Sequence, residues 1–128
     1  HEQAYPLLLA VLEKRVGLLM GASDAFVKVT GGVKIDEPAV DLGLAVALAS
    51  SYRDCPVDPY TVIIGEVGLA GEVRSVSNIE QRLKESQKMG FRRAIVPAAV
   101  SKNHIGPGFT LVGVPILADA LDAALARY

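Results

Sequence analysis

No tryptophan occurs in these 128 residues, and aromatic residues make up only 5% of them. The core must therefore be aliphatic. Cysteine is nearly absent as well. Cys55 alone permits no internal disulfide and no cysteine-based metal site, which fits a reducing compartment. Neither sign of charge dominates: the net charge of −1 excludes nucleic-acid binding through bulk positive charge, though not through a local basic face. No apolar run reaches the roughly 18 residues of a membrane span. The longest candidate, "PLLLAVL", is followed by Glu13, Lys14 and Arg15. No charged–apolar–small leader opens the chain, and His1 reads as a tag remnant. The expected setting is the cytoplasm, with no membrane partner.

Several chemical signatures are missing too. There is neither a G-x-x-x-x-G-K-[ST] loop nor a G-x-G-x-x-G fingerprint. Gly65, Gly68 and Gly71 flank a hairpin and lead into no helix directly, so a backbone role is favoured over a phosphate cradle. His104 lies in a loop rich in Gly and Pro, where solvent exposure is favoured over membership of a catalytic triad. Cys55 has no histidine near it in sequence, so an incidental thiol is favoured over a nucleophile. Asp36, Glu37 and Asp41 cluster at a helix start, where capping and dipole complementation suffice. A metal would want more oxygen ligands in a compact loop. No metal and no cofactor are expected.

What is present is enough for a real core: 51% hydrophobic and 21% charged residues. The pattern predicts one α/β domain over residues 1–128 without an internal linker. "AYPLLLAVLEKRVGLLM" reads as a first helix stopped by Gly21, and "DAFVKVT" and "VKI" as strands around Gly31-Gly32. After Pro38, "AVDLGLAVALASS" is apolar on nearly every side and predicts a buried helix. "TVIIGEVGL" reads as one buried strand, turned at "AG" into "EVRSV". "SNIEQRLKESQKMG" predicts a helix with a Ser77/Glu80 capping box, Ile79 and Leu83 inward, and Gly90 as its stop. "RRAIVP" and "FTLVGV" read as strands. "ILADALDAALARY" reads as a last helix with Leu117, Leu121, Ala124 and Leu125 inward.

The turn "KIDEPAVDLG" has the frame of an active site without a nucleophile. A helix start can stabilise developing charge, yet the central residue is Ala39. The combination "KIDEPAVDLGLAVALASS…PVDPYTVIIGEVGLAGEVRSVSNIEQRL…MGFRRAIVPAA", preceded by "DAFVKVTGG", resembles the carboxy-terminal domain of the bacterial RadA (Sms) family of DNA-repair proteins. That domain is similar to the proteolytic domain of Lon. The resemblance implies an α/β (α+β) fold of Lon proteolytic-domain type, with ribosomal protein S5 domain 2-like architecture. Lon uses a serine–lysine dyad. Its serine lies in a D-G-P-S-A-G turn, matched here by Asp36 to Asp41, with Ala39 at the serine position. Its lysine lies in a G-G-L-K-E-K stretch, matched by Ser77 to Arg82, with Glu80 at the lysine position. A methyl group cannot attack a carbonyl, so the resemblance implies a retained fold with lost protease chemistry and no catalytic residue.

The same resemblance implies a module of a DNA-recombination motor that drives branch migration. Its zinc finger and RecA-like ATPase, and hence ATP, Mg and Zn, belong to upstream domains that are not in this chain. Two roles are expected: packing into a ring, taken as hexameric, and sequence-independent contact with single- or double-stranded DNA. Lys34, Arg74, Arg82, Lys84, Lys88, Arg92 and Arg93 are the candidate DNA contacts, since phosphate neutralisation needs several cations on one face. Against that stands a solvated face whose cations pair with neighbours such as Glu80 and Glu85. A purely structural oligomerisation scaffold is the alternative. A serine–lysine peptidase would need a serine at 39 and a lysine at 80.

Overall fold

The computed structural model describes residues 38–100 and 106–125. The expected first helix and first two strands, Lys34, His104 and residues 126–128 of the expected last helix lie outside the described residues.

Pro38–Val40 form a single 3-10 turn that leads into helix α1 (Asp41–Arg53). The ring of Pro38 sets φ for such a first turn and lacks only an N–H that a helix start leaves unused. Leu42, Leu44, Ala45, Val46, Leu48 and Ala49 are all buried, as the all-round apolar pattern predicts. Asp54 ends the helix in the left-handed region (φ 51), and the N–H of Cys55 reaches back to the carbonyl of Ser50 at 3.0 Å.

Strand β1 (Thr61–Ile63) follows, and here the expected continuous strand over 61–69 is corrected. The chain leaves the sheet at Ile64-Gly65 and starts again as β2 (Glu66–Val67). β2 pairs antiparallel with β3 (Val73–Arg74), matching Glu66 to Arg74 and Val67 to Val73. The break occurs because the backbone of Gly65 is engaged by the α1 turn: its N–H donates to the carbonyl of Ala39 and its carbonyl accepts from Leu42. The hairpin itself is as expected, with Gly71 in its turn at φ 83.

Helix α2 spans Ile79–Lys88. The expected Ser77 capping box is also corrected. The N-cap is Asn78, in the left-handed region at φ 58, and it makes no side-chain capping bond. Entry from the hairpin requires one left-handed residue, a conformation Asn tolerates better than most, so the cap moves one position along. The carbonyls of Ser77 and Asn78 accept Nε and the backbone N–H of Arg82, each at 3.0 Å. The other end is as expected. Gly90 (φ 98) follows the helix, and Phe91 N–H to Ser86 O and Gly90 N–H to Gln87 O complete a Schellman motif.

Strands β4 (Arg93–Pro97) and β5 (Thr110–Val114) complete a parallel sheet of order β1-β4-β5, and α3 (Leu117–Ala124) closes the described chain. Alternation along β4 sorts the core. Ile95 joins the α1 and α3 side chains Leu42, Val46, Leu48, Leu117 and Leu121. Ala94 and Val96 join Ala39, Ile64 and Leu83 of α2. The sheet is thus covered by α1 and α3 on one face and by α2 on the other, as buried parallel strands require. The described residues form one small mixed α/β unit, in keeping with the expected class.

Candidate functional site

Two places bear on function: the turn before α1, and the edge of the sheet where the parallel strands begin.

At the turn, Ala39 is only 5% exposed, and its methyl group lies in the apolar cluster with Ile64, Leu83, Ala94 and Val96. It faces protein, not solvent. Glu80 is exposed, one turn before Leu83 on α2. Ala39 and Glu80 are therefore both on the α2 side of the sheet, one inside the core and one outside it. A surface hollow of about 530 Å³ lies at the first turn of α2, lined by Asn78, Ile79, Glu80, Gln81 and Lys84. That lining carries no hydroxyl or thiol.

Asp41 has a role beyond the one read from the sequence. It stands in the first turn of α1, where dipole complementation was expected of it, but it is also only 5% exposed. Its Oδ2 accepts the N–H of Val67 at 3.3 Å, tying the hairpin to α1. Burial pushes its carboxyl up to about 6; the Val67 bond opposes that shift and the nearby Glu66 charge adds to it. The only signal in the sequence was a carboxylate placed inside an apolar helix. Cys55 is half-buried and its Sγ donates to the carbonyl of Leu125 at 3.4 Å, a structural contact. Among the described residues, no group of three or more His, Cys, Asp or Glu is placed to hold a metal ion.

The basic candidates are split by the topology. Arg74 lies on the hairpin, beyond the carboxyl ends of the strands, and pairs with Glu72 at 3.1 Å. Hydrogen bonding from its own backbone N–H, and then from Arg74, lowers the Glu72 carboxyl pKa. Helix α2 starts at that end and returns to the amino end of the sheet, about 15 Å away at 1.5 Å per residue. Arg82 is half-buried and engaged with the helix start, and Lys84 is exposed along the way. Lys88, Arg92 and Arg93 arrive at the amino end, where Thr61, Arg93 and Thr110 stand in register.

There the two adjacent arginines differ. Arg93 turns inward: its Nη2 donates to the carbonyl of Ala123 at 2.8 Å, satisfying the last turn of α3. Arg92 is exposed, and its guanidinium carbon lies 4.7 Å from the ring centroid of Tyr60. Arg53, the exposed last residue of α1, comes to the same end of the sheet. It was not among the candidates, since nothing in the sequence links it to residues forty positions away.

Comparison with known proteins places these features in context. A family model described as subunit ChlI of Mg-chelatase matches residues 16–100. A DNA repair protein RadA of Bacillus subtilis is 56% identical over 120 residues, covering 93% of this chain and 26% of that protein. Proteins of the same name from Halalkalibacterium halodurans and Listeria monocytogenes are each 51% identical, over 94% and 93% of the chain and 27% and 26% of their own lengths. The chain spans about a quarter of the length of these relatives. No helix among the described residues is long and apolar enough to cross a membrane.

Proposed function

We propose that this chain, which belongs to the family described as subunit ChlI of Mg-chelatase, is a non-catalytic, Lon-like module of a RadA-type DNA repair protein. The observation that carries the proposal is the 56% identity to a DNA repair protein RadA over 93% of the chain. The buried methyl group of Ala39 supports the non-catalytic part, because a position inside the core offers nothing to a substrate. In this reading ATP hydrolysis with its Mg, and a zinc finger with its Zn, belong to other parts of the longer cytoplasmic protein, which acts in recombination and branch migration. The module adds contact with DNA and helps to close a hexameric ring.

Contact with DNA falls to the amino end of the sheet, where Lys88 and Arg92 on the α2 side and Arg53 at the end of α1 are each exposed. Arg93 serves the fold there, so it is the weakest of the paired candidates. The test is titration of duplex and single-stranded oligonucleotides with the 128-residue chain across a salt series. Reversing Lys88 and Arg92 to glutamate should weaken binding for every sequence and flatten the salt slope by about one unit per lost phosphate contact. Binding that is unchanged by both reversals would overturn the DNA role.

A scaffold without DNA contact is the second reading, favoured by one feature. Leu69, 69% exposed on the hairpin turn, stands at the same end of the domain as exposed Ile116. The bridge between Glu72 and Ile116 brings the two segments together. Leu69→Ser reducing the assembly size seen by light scattering, with DNA binding absent throughout, would favour this reading.

A further inference from the structure

We propose that Tyr60, backed by Arg92, is a stacking platform for an unpaired base, so that this edge of the domain takes single-stranded rather than duplex nucleic acid. The proposal rests on the DNA-contact reading above and names the strand state and the residue.

Aromatic residues are scarce in the chain, yet the four described ones share one location. Tyr52 is on the last turn of α1, Tyr60 directly precedes β1, Phe91 lies before β4 and Phe109 directly precedes β5. All stand at the amino end of the parallel sheet. Phe109 packs into the α2-side core, whereas Tyr52 and Tyr60 are about half exposed. An isolated exposed aromatic needs no explanation. This one is different because its backbone is fixed and a guanidinium, that of Arg92, lies over its ring.

The backbone of Tyr60 is held on both sides. Its N–H donates to Asp58 Oδ1 at 2.8 Å, and its carbonyl accepts the N–H groups of Arg92 and Arg93 at 2.9 and 3.3 Å. The ring is therefore presented from a rigid strand start. A guanidinium lying over a ring keeps its N–H groups at the rim, free to meet phosphate oxygens while the aromatic surface meets a base. Lys88, four residues before Arg92 across the Gly90 turn, adds a second cation. Asp58 is turned toward the loop backbone by its bond to Tyr60. A basic strip carrying an exposed, fixed aromatic is the chemistry that holds single strands, because only unpaired bases offer a free π-face.

The absence of tryptophan supplies a clean test. Tyr60→Trp places the sole indole of the chain at the proposed contact. A 20-nucleotide oligo(dT) should quench its emission saturably, over the same concentrations at which fluorescence anisotropy of the labelled oligonucleotide reports binding. Tyr60→Ala should weaken oligo(dT) binding about tenfold, Tyr60→Phe less than about twofold, and neither should change duplex binding by more than about twofold. Far-UV circular dichroism checks the fold of each variant; the Trp and Phe variants retain a large ring and carry the test if Ala unfolds. Oligo(dT) binding without quenching, at an affinity that Tyr60→Ala leaves intact, would overturn stacking and spare the DNA-contact reading. Equal loss on duplex and single strand would do the same. No binding of either by the wild-type chain would overturn both.

Discussion

The N–H of Gly65 donates to the carbonyl of Ala39 at 3.0 Å, and the carbonyl of Gly65 accepts the N–H of Leu42 at 2.9 Å. One glycine thus closes the Ala39 turn onto the end of β1. A side chain at 65 would stand 3.1 Å from Val73 Cγ1 and 3.2 Å from Leu42 Cδ2, closer than most real Cβ contacts. This crossing holds Ala39 in the core and releases the chain from the parallel sheet into the hairpin.

Placing a hydroxyl at position 39 should therefore not create protease chemistry. Ala39→Ser buries an extra polar group among Ile64, Leu83, Ala94 and Val96. The expected cost is about 1–3 kcal/mol of stability, read by urea denaturation. Casein digestion should stay at background, even with Glu80→Lys added. Cleavage by the double variant would mean that the turn still functions as a catalytic frame.

Asp41 should make stability depend on pH. Its folded carboxyl titrates near 6, above the ordinary 3.8, so the folded chain holds the proton more tightly than the unfolded chain. Stability from this group is greatest below about pH 4, falls as pH rises toward 6, and is lower by on the order of 3 kcal/mol above that. Asp41→Asn can still accept the Val67 N–H and never ionises. Its expected advantage over wild type is roughly 1–3 kcal/mol at pH 7.5, fading to nothing near pH 4. Denaturation series at several pH values measure the difference, and a gain independent of pH would contradict the assignment.

Arg92 and Arg93 should separate in a stability assay. Arg93→Met keeps the aliphatic stem and deletes the bond to Ala123, at an expected cost of about 1.5–3 kcal/mol. Arg92→Met loses only an exposed cation–π contact, worth about 0.5–1 kcal/mol. Equal losses would mean that the inward turn of Arg93 contributes little.

Thr61 points the other way. Its Oγ1 is buried and has no hydrogen-bond partner among the described residues. Thr61→Val preserves the shape and removes the orphaned hydroxyl, so thermal unfolding should show a gain of about 1 kcal/mol. A loss of similar size would reveal a partner for that hydroxyl.

The sequence reading succeeded where the physics is local. Gly90 ends α2 because only a residue at ease with positive φ continues the turn there, and the Gly-containing "LAGE" bend closes the hairpin. The inward set Leu117, Leu121, Ala124 and Leu125 follows from helical spacing alone. It failed at Ser77, where the left-handed entry that Asn78 supplies decided the cap, and at Ile64-Gly65, where a helix start outcompeted strand continuation for the same backbone groups.

Composition and periodicity thus determined the aliphatic α/β core and most element positions, because each depends on residues a few positions apart. The tertiary structure alone decided the order β1-β4-β5, the burial of Asp41, the inward turn of Arg93 beside an outward Arg92, and the gathering of the described aromatics at one edge. Those outcomes rest on contacts such as Asp41 with Val67, 26 residues apart, and Arg93 with Ala123, 30 apart. Partner choice is set by what folds against a residue, and no local pattern encodes that.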